Sequence, residues 1–299
     1  MRADENRRRA RMESARKGMS RREILFAMPI GFFAGRSVVA TDAIPVPEGG
    51  LTIGVITDLH FAVKPTVGTR HYADSEAKLE SALRFFKDAR VDVILQLGDL
   101  VDQGAKAQEL EWLGRIAGVF ERSGIPWHSV LGNHDLATLS KQDFFGAIGQ
   151  PERLPHHAFV LKDRLFLLLD ANFLADGTPY EAGNFQWTDT WLPDAQQHWI
   201  RSVLAEHAPR EAIVFVHQNL DCEEDAHGVK NAPAVRRILE QSGRVRAVFQ
   251  GHQHSGGLRT INGIPYHTLR ATVEGPLSAA ERYACVIRWD RNWAMTWGP

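Results

Sequence analysis

Cysteine is nearly absent from this chain: Cys222 and Cys285 are the only two among 299 residues. Two thiols so far apart cannot supply the multi-bridge framework of a small secreted domain. They are expected to be inert and buried, and the sequence leaves open whether they meet. A stable membrane span is also missing, because Pro29, Gly31 and Arg36 interrupt the apolar stretch from Ile24 to Ala40. Basic excess is missing too: the formal net charge is −1. Residues 1–40 hold ten Lys/Arg and four Asp/Glu, so the remainder carries 25 basic and 32 acidic residues and a net charge of −7. That balance lacks the footprint of a nucleic-acid binder. No internal repeat is apparent, so a solenoid is not expected.

What is present is an ordinary globular composition, 44% hydrophobic and 24% charged, ample for a large core. The start of the chain differs from the rest. It is basic, then moderately apolar, then rich in small residues, the layout of an export signal. Ser20-Arg21-Arg22-Glu23-Ile24-Leu25 resembles the twin-arginine signal of bacteria. On that likeness residues 1–43 are a signal peptide cut after Ala40 or Ala43, and residues 44–299 are one mature domain. The likeness further implies a periplasmic or secreted protein. Its partner would be the twin-arginine machinery, which exports chains already folded with any cofactor inside.

Periodicity then yields an alternating series. "LTIGVITDLH" (51–60) reads as a strand, 73–89 as an amphipathic helix, 91–98 as a buried strand, about 108–122 as a helix and 127–133 as a strand. This β-α-β-α-β order points to a sheet with crossover helices. A hairpin turning at Lys162-Asp163, a helix over 193–208, a strand over 211–218, a helix over 231–243 ending at Gly243 and a strand over 245–254 follow. The tail is strand-like. Residues 173–192 form a long polar and aromatic loop, of a length usually tied to function.

The apolar strands share one property, which is that each delivers metal-competent side chains at its carboxyl end. Asp58 and His60, Asp99, Asn133 and His134, His217, and His252 and His254 stand at five successive strand ends. Ligands of open α/β sheets bind at that edge. In D58-L-H60 and H252-Q-H254 the paired residues are i and i+2, so in extended backbone they project to one side. The donors are nitrogen and oxygen without thiolate, which favours Mn, Fe or Zn. At 91–104 alone, Asp99 and Asp102 fit a crevice and a helix cap equally well. His128, His156, His157, His198 and His207 read as structural residues.

In order, D58-L-H60, G98-D99-L-V-D102, G132-N133-H134-D135, H217 and G251-H252-Q-H254 resemble the five blocks of the calcineurin-like metallophosphoesterases. The resemblance spans about residues 51–290. It implies an α/β fold, a four-layer α-β-β-α sandwich of two mixed sheets flanked by helices, with residues 44–299 as the catalytic domain. It also implies two divalent ions (Mn, Fe or Zn, with Mn favoured). Asp58, His60, Asp99 and His254 would hold the first, and Asp99, Asn133, His217 and His252 the second, with Asp99 bridging. Asp102 would support the ligands or cap a helix. A bridging water, its pKa lowered from 15.7 toward about 7, would attack phosphorus as hydroxide. His134 would be the general acid, with Asp135 holding its imidazole.

"GTRHYADSEAKLESAL", "LQLGDLVDQG" and "GHQHSGGLRTINGIPYHTLRATVEGPLSA" narrow the likeness to the manganese-dependent ADP-ribose/CDP-alcohol diphosphatases. This chain departs from that branch at His60 and Asp135, where its animal and plant members carry Gln and Glu. The likeness implies a small phosphorylated substrate with a nucleotide-like diphosphate. His71, Tyr72, Asn184 and Phe185 are candidate contacts by position and type. The alternatives are a broad phosphomonoesterase or cyclic-nucleotide phosphodiesterase and, in another class, a metal-stabilised scaffold without activity.

Overall fold

The computed structural model describes residues 50–278, 282–289 and 293–298. The signal-type segment 1–43 and both cleavage points lie outside the described residues. Among the described residues, no helix is long and apolar enough to cross a membrane.

Among the described residues, eleven strands form two mixed sheets. In the first, β1 (Leu51–Ile56), β2 (Val93–Gln96) and β3 (Trp127–Ser129) run parallel; β10 (Ala284–Trp289) lies antiparallel to β1, and β11 (Trp293–Trp297) lies antiparallel to β10. The second has the order β4-β5-β6-β7-β9-β8. Its hairpin β4 (His157–Leu161) and β5 (Arg164–Leu168) leads into the parallel β6 (Ala212–Phe215), β7 (Val245–Gln250) and β9 (Ile264–Thr268). Antiparallel β8 (Gly257–Ile261) closes its far edge. The hairpin turns at Lys162 and Asp163, both with positive φ.

Helices α1 (Ser75–Asp88) and α2 (Lys106–Ser123) cover the outer face of the first sheet, and α4 (Asp194–Glu206) and α5 (Ala232–Ser242) that of the second. The layers are therefore α-β-β-α. Strand β5 shows why its sequence is an unbroken apolar run. Leu165 and Leu167 face the helices, while Phe166 and Leu168 face the other sheet, so neither face meets water. Between the sheets, His128, Phe159, Phe166, Phe215, Phe249 and His267 stack in one row, with consecutive ring centroids 4.1–5.9 Å apart.

The elements agree with the sequence reading in kind, and most strands are shorter. Gly243 ends α5 in the left-handed conformation. One helix goes unpredicted, α3 (Lys141–Ala147). Its Ser140 accepts a hydrogen bond from the Asp143 amide while Asp143 accepts from the Ser140 amide, a capping box written in the sequence. Cys222 and Cys285 are both free. Burial pushes the Cys222 thiol up to about 12 and that of core residue Cys285 well above its ordinary value.

Candidate metal centre

The carboxyl ends of β1, β2, β3, β6 and β7 converge, and the turns that follow them are unusual. Asp58, His60, Asp99 and His252 all have φ between +42° and +67°, a region that residues with a Cβ seldom occupy. Each left-handed turn tilts its side chain back over the strand ends. Four such residues in one place mark a site where backbone strain is retained for a purpose. Space is equally tight. A Cβ on Gly132 would lie 2.0 Å from Asp99 Oδ1, and one on Gly251 2.2 Å from Thr57 Oγ1.

Two triads result. Asp58, His60 and His254 bring ligand-type atoms within 4.8 Å of one another, and Asp99, His217 and His252 do the same. His60 Nε2 and His254 Nε2 face each other at 3.1 Å, each 3.6 Å from Asp58 Oδ1. Asp99 joins the two groups, because its Oδ2 lies 3.4 Å from His60 Nε2 and 3.2 Å from His217 Nε2. Its Oδ1 accepts from the His134 amide at 2.8 Å.

A cradle for cations also needs donors left without protein partners. Asp58 Oδ1, Asn133 Oδ1, His217 Nε2 and His252 Nε2 are buried and make no hydrogen bond. Native interiors seldom leave such atoms unpaired. The atoms on the far side of the same residues are pinned. Thr57 Oγ1 donates to Asp58 Oδ2 at 2.6 Å, His217 Nδ1 bonds the Leu97 carbonyl at 2.7 Å, and His254 Nδ1 lies 2.6 Å from Glu274 Oε1. Outer partners of this kind orient metal-binding imidazoles. The field draws positive charge. Burial opposes it, yet Asp99 and its neighbours push His60 up to about 10, and Asp99 and Asp58 push His217 up to about 9. Asp58 and Asp99 stay well below the usual carboxylate range, against burial, chiefly through His217. The residues therefore fit two divalent cations.

His134 sits beside the first triad, its ring 4.6 Å from that of His60 and edge-on to it. Its Nδ1 lies 2.6 Å from Asp102 Oδ1. This corrects one expectation, since Asp135 does not hold the His134 imidazole. Its fully buried carboxylate accepts from the amides of Asp99, Leu100 and Gly132 at 2.8–2.9 Å. The Asp99 and Leu100 amides belong to the left-handed turn at Asp99, and the Gly132 amide to the turn that carries Asp135 itself. Burial and the nearby Asp99 charge push Asp135 up to about 7. Asp102 caps no helix either, as the N-cap of α2 is Ala105.

The four candidate substrate contacts separate. Phe185 stands 6.0 Å from the His134 ring. His71 is half-buried, with Nδ1 3.6 Å from Asp74 Oδ2. Tyr72 is packed in the helix-side core, so its face is not open to substrate. Asn184 bonds the Glu181 amide and the Pro179 carbonyl, which makes it a brace of its own turn. Three neighbours went unread in the sequence: Glu274, and Trp187 and His227, whose rings lie 6.0 and 5.2 Å from His252. Only the length of the 173–192 loop hinted at Trp187.

The sequence model of the calcineurin-like phosphoesterases matches residues 51–256. A probable cyclic nucleotide phosphodiesterase of Psychrobacter arcticus is 25% identical over 245 residues, covering 76% of this chain and 81% of that protein. The manganese-dependent ADP-ribose/CDP-alcohol diphosphatase of Oryza sativa subsp. japonica is 24% identical over 270 residues, 75% of this chain and 84% of its own. A dimetal phosphatase from Danio rerio superposes with a TM-score of 0.72 at 20% identity, over 84% of this chain and 96% of that one. That last likeness is one of fold.

Proposed function

The chain belongs to the calcineurin-like phosphoesterase family, a family of metal-dependent hydrolases, and on that premise we propose a dinuclear enzyme that cleaves phosphoester or phosphoanhydride bonds. Asp99 Oδ2 carries the proposal, lying between His60 Nε2 and His217 Nε2 as the shared ligand of two ions. Asp58, His60 and His254 complete one shell, and Asn133, His217 and His252 the other. Bound divalent ions would supply charge to the phosphoryl oxygens and a more acidic water at neutral pH.

The protein's own groups do the rest. Asp102 Oδ1 lies 2.6 Å from His134 Nδ1, a charge contact that orients the ring and leaves Nε2 to carry the proton for the departing oxygen. Phe185, Trp187 and His227 wall the approach. We favour a nucleotide-like diphosphate, on the likeness to the rice diphosphatase and this aromatic wall. A cyclic-nucleotide diester is the second reading, favoured by the Psychrobacter relative. Manganese is the favoured ion on the N/O donor set and the name of the rice relative. Export belongs to the proposal on the Ser20–Leu25 pattern alone, and cell fractionation checks it.

Turnover of ADP-ribose, CDP-choline, cyclic AMP and 4-nitrophenyl phosphate with Mn²⁺ tests the substrate. Preference for the two diphosphates is expected. Good activity on the monoester with little on either diphosphate would reject the narrower assignment.

A further inference from the structure

The carboxylate behind His134 has a second partner. Lys64 Nζ lies 2.5 Å from Asp102 Oδ2, while Asp102 Oδ1 faces His134 Nδ1 at 2.6 Å and His60 Nδ1 at 3.6 Å. Asp102 is therefore a junction, and one of its oxygens sees both the proposed acid and a proposed metal ligand. A carboxylate free to rotate about its χ2 could turn either oxygen toward either ring. Lys64 removes that freedom by holding Oδ2 on the opposite side.

Lys64 is itself placed from three directions. Its ammonium touches Asp102, bonds the Gln103 carbonyl at 3.4 Å and sits over the buried Tyr72 ring, 4.3 Å from the centroid. The backbone fixes the approach. The Phe61 amide donates to the Leu100 carbonyl and the Asp102 amide to the Phe61 carbonyl, stitching the turn after β1 to the turn after β2. Lys64 emerges three residues past that stitch, opposite Asp102. The contact is short and charge-assisted, with the Asp102 side chain 5% and the Lys64 side chain 30% exposed, so it is screened less than a fully exposed pair. It also leaves Tyr72 with a clear task, as a shelf for the ammonium.

We propose that Lys64 is a positioning residue for the acid step: it locks Asp102 so that Oδ1 holds His134 in line with the leaving oxygen. The assignment rests on the reading of His134 as general acid. In that step a hydroxide oxygen bonds phosphorus, the P–O bond to the leaving group breaks with its electron pair staying on the leaving oxygen, and the Nε2 proton of His134 moves to that oxygen. Asp102 Oδ1 stays against His134 Nδ1 throughout.

The test uses the full chain loaded with Mn²⁺ and two esters of one phosphoryl group, one with a 4-nitrophenolate leaving group and one with phenolate. The first needs little protonation and the second much. General acids contribute about 10²–10⁴-fold, so His134→Ala should lose roughly 100-fold more kcat on the phenyl ester than on the nitrophenyl ester. Lys64→Met should show the same bias at about tenfold, as a partial loss of that acid's alignment, and Lys64→Arg should restore most of it. Metal content is measured for each variant. If Lys64→Met slows both esters equally, slows neither, or sheds the ions while His134→Ala discriminates, the assignment of Lys64 is overturned. If His134→Ala itself does not discriminate, the acid reading beneath it fails instead.

Discussion

Asp102 and Asp135 are both buried acids within reach of the centre, and they do different work. Asp135 satisfies backbone amides at Asp99, Leu100 and Gly132. Each buried donor left unpaired costs about 1–3 kcal/mol, so Asp135→Ala should lose about 3 kcal/mol or more in urea unfolding. Asp102→Asn should keep its ions and most of its stability while kcat falls about 10²-fold, the usual worth of an acid. Gly132→Ala puts a methyl onto Asp99 Oδ1 and should abolish metal uptake, read by elemental analysis. Which side chains gather at the sheet edge was legible, because each candidate ligand follows an apolar strand in a recognisable block. Which acid faces His134 was not. That depends on the left-handed turn at Asp99, where the amides of Asp99, Leu100 and Val101 donate to Asp135, and no residue type announces it.

At the scale of elements, the two sheets are tied where β3 meets β4. Arg153 Nη1 lies 2.8 Å from His128 Nδ1 and 3.3 Å from His157 Nε2, and His128 stacks on Phe159. Burial, then the Arg153 charge, lowers His157 to about 3 and His128 well below the ordinary value. Both rings therefore stay neutral in the folded protein below pH 6.5, where the unfolded chain protonates them. Their contribution is intact above pH 6.5 and is lost progressively as pH drops below it. Urea midpoints at pH 7 and 5 should show a smaller pH dependence in His157→Phe than in the parent chain. An equal dependence would remove the latch from the account. Strand β6 was legible because burial on both faces leaves a purely apolar signature. Helix α3 was not, because seven residues are too few for a clear period. Nor was the wall of the approach, whose Trp187 and His227 come from separate loops joined by the isolated bridge between Thr190 and Val229.

For the whole molecule, two sheets and their helices hold seven polar side chains at one edge, and four buried atoms among them, Asp58 Oδ1, Asn133 Oδ1, His217 Nε2 and His252 Nε2, make no hydrogen bond. Ions that bind only the folded chain stabilise it by mass action. Removing them with a chelator should lower Tm by several degrees, and Mn²⁺ in excess should restore it. The layer order was expected from the family resemblance, with which the alternation of strands and helices is consistent, whereas closure by β10 and β11 beside β1 needed long-range pairing that no local pattern encodes.

The most direct test is the metal stoichiometry of the purified chain and of Asp99→Asn, measured by inductively coupled plasma mass spectrometry after equilibration with Mn²⁺. The account predicts close to two ions per parent chain and at most one in the variant. Two ions retained without the Asp99 carboxylate, or none bound by the parent chain, would contradict it.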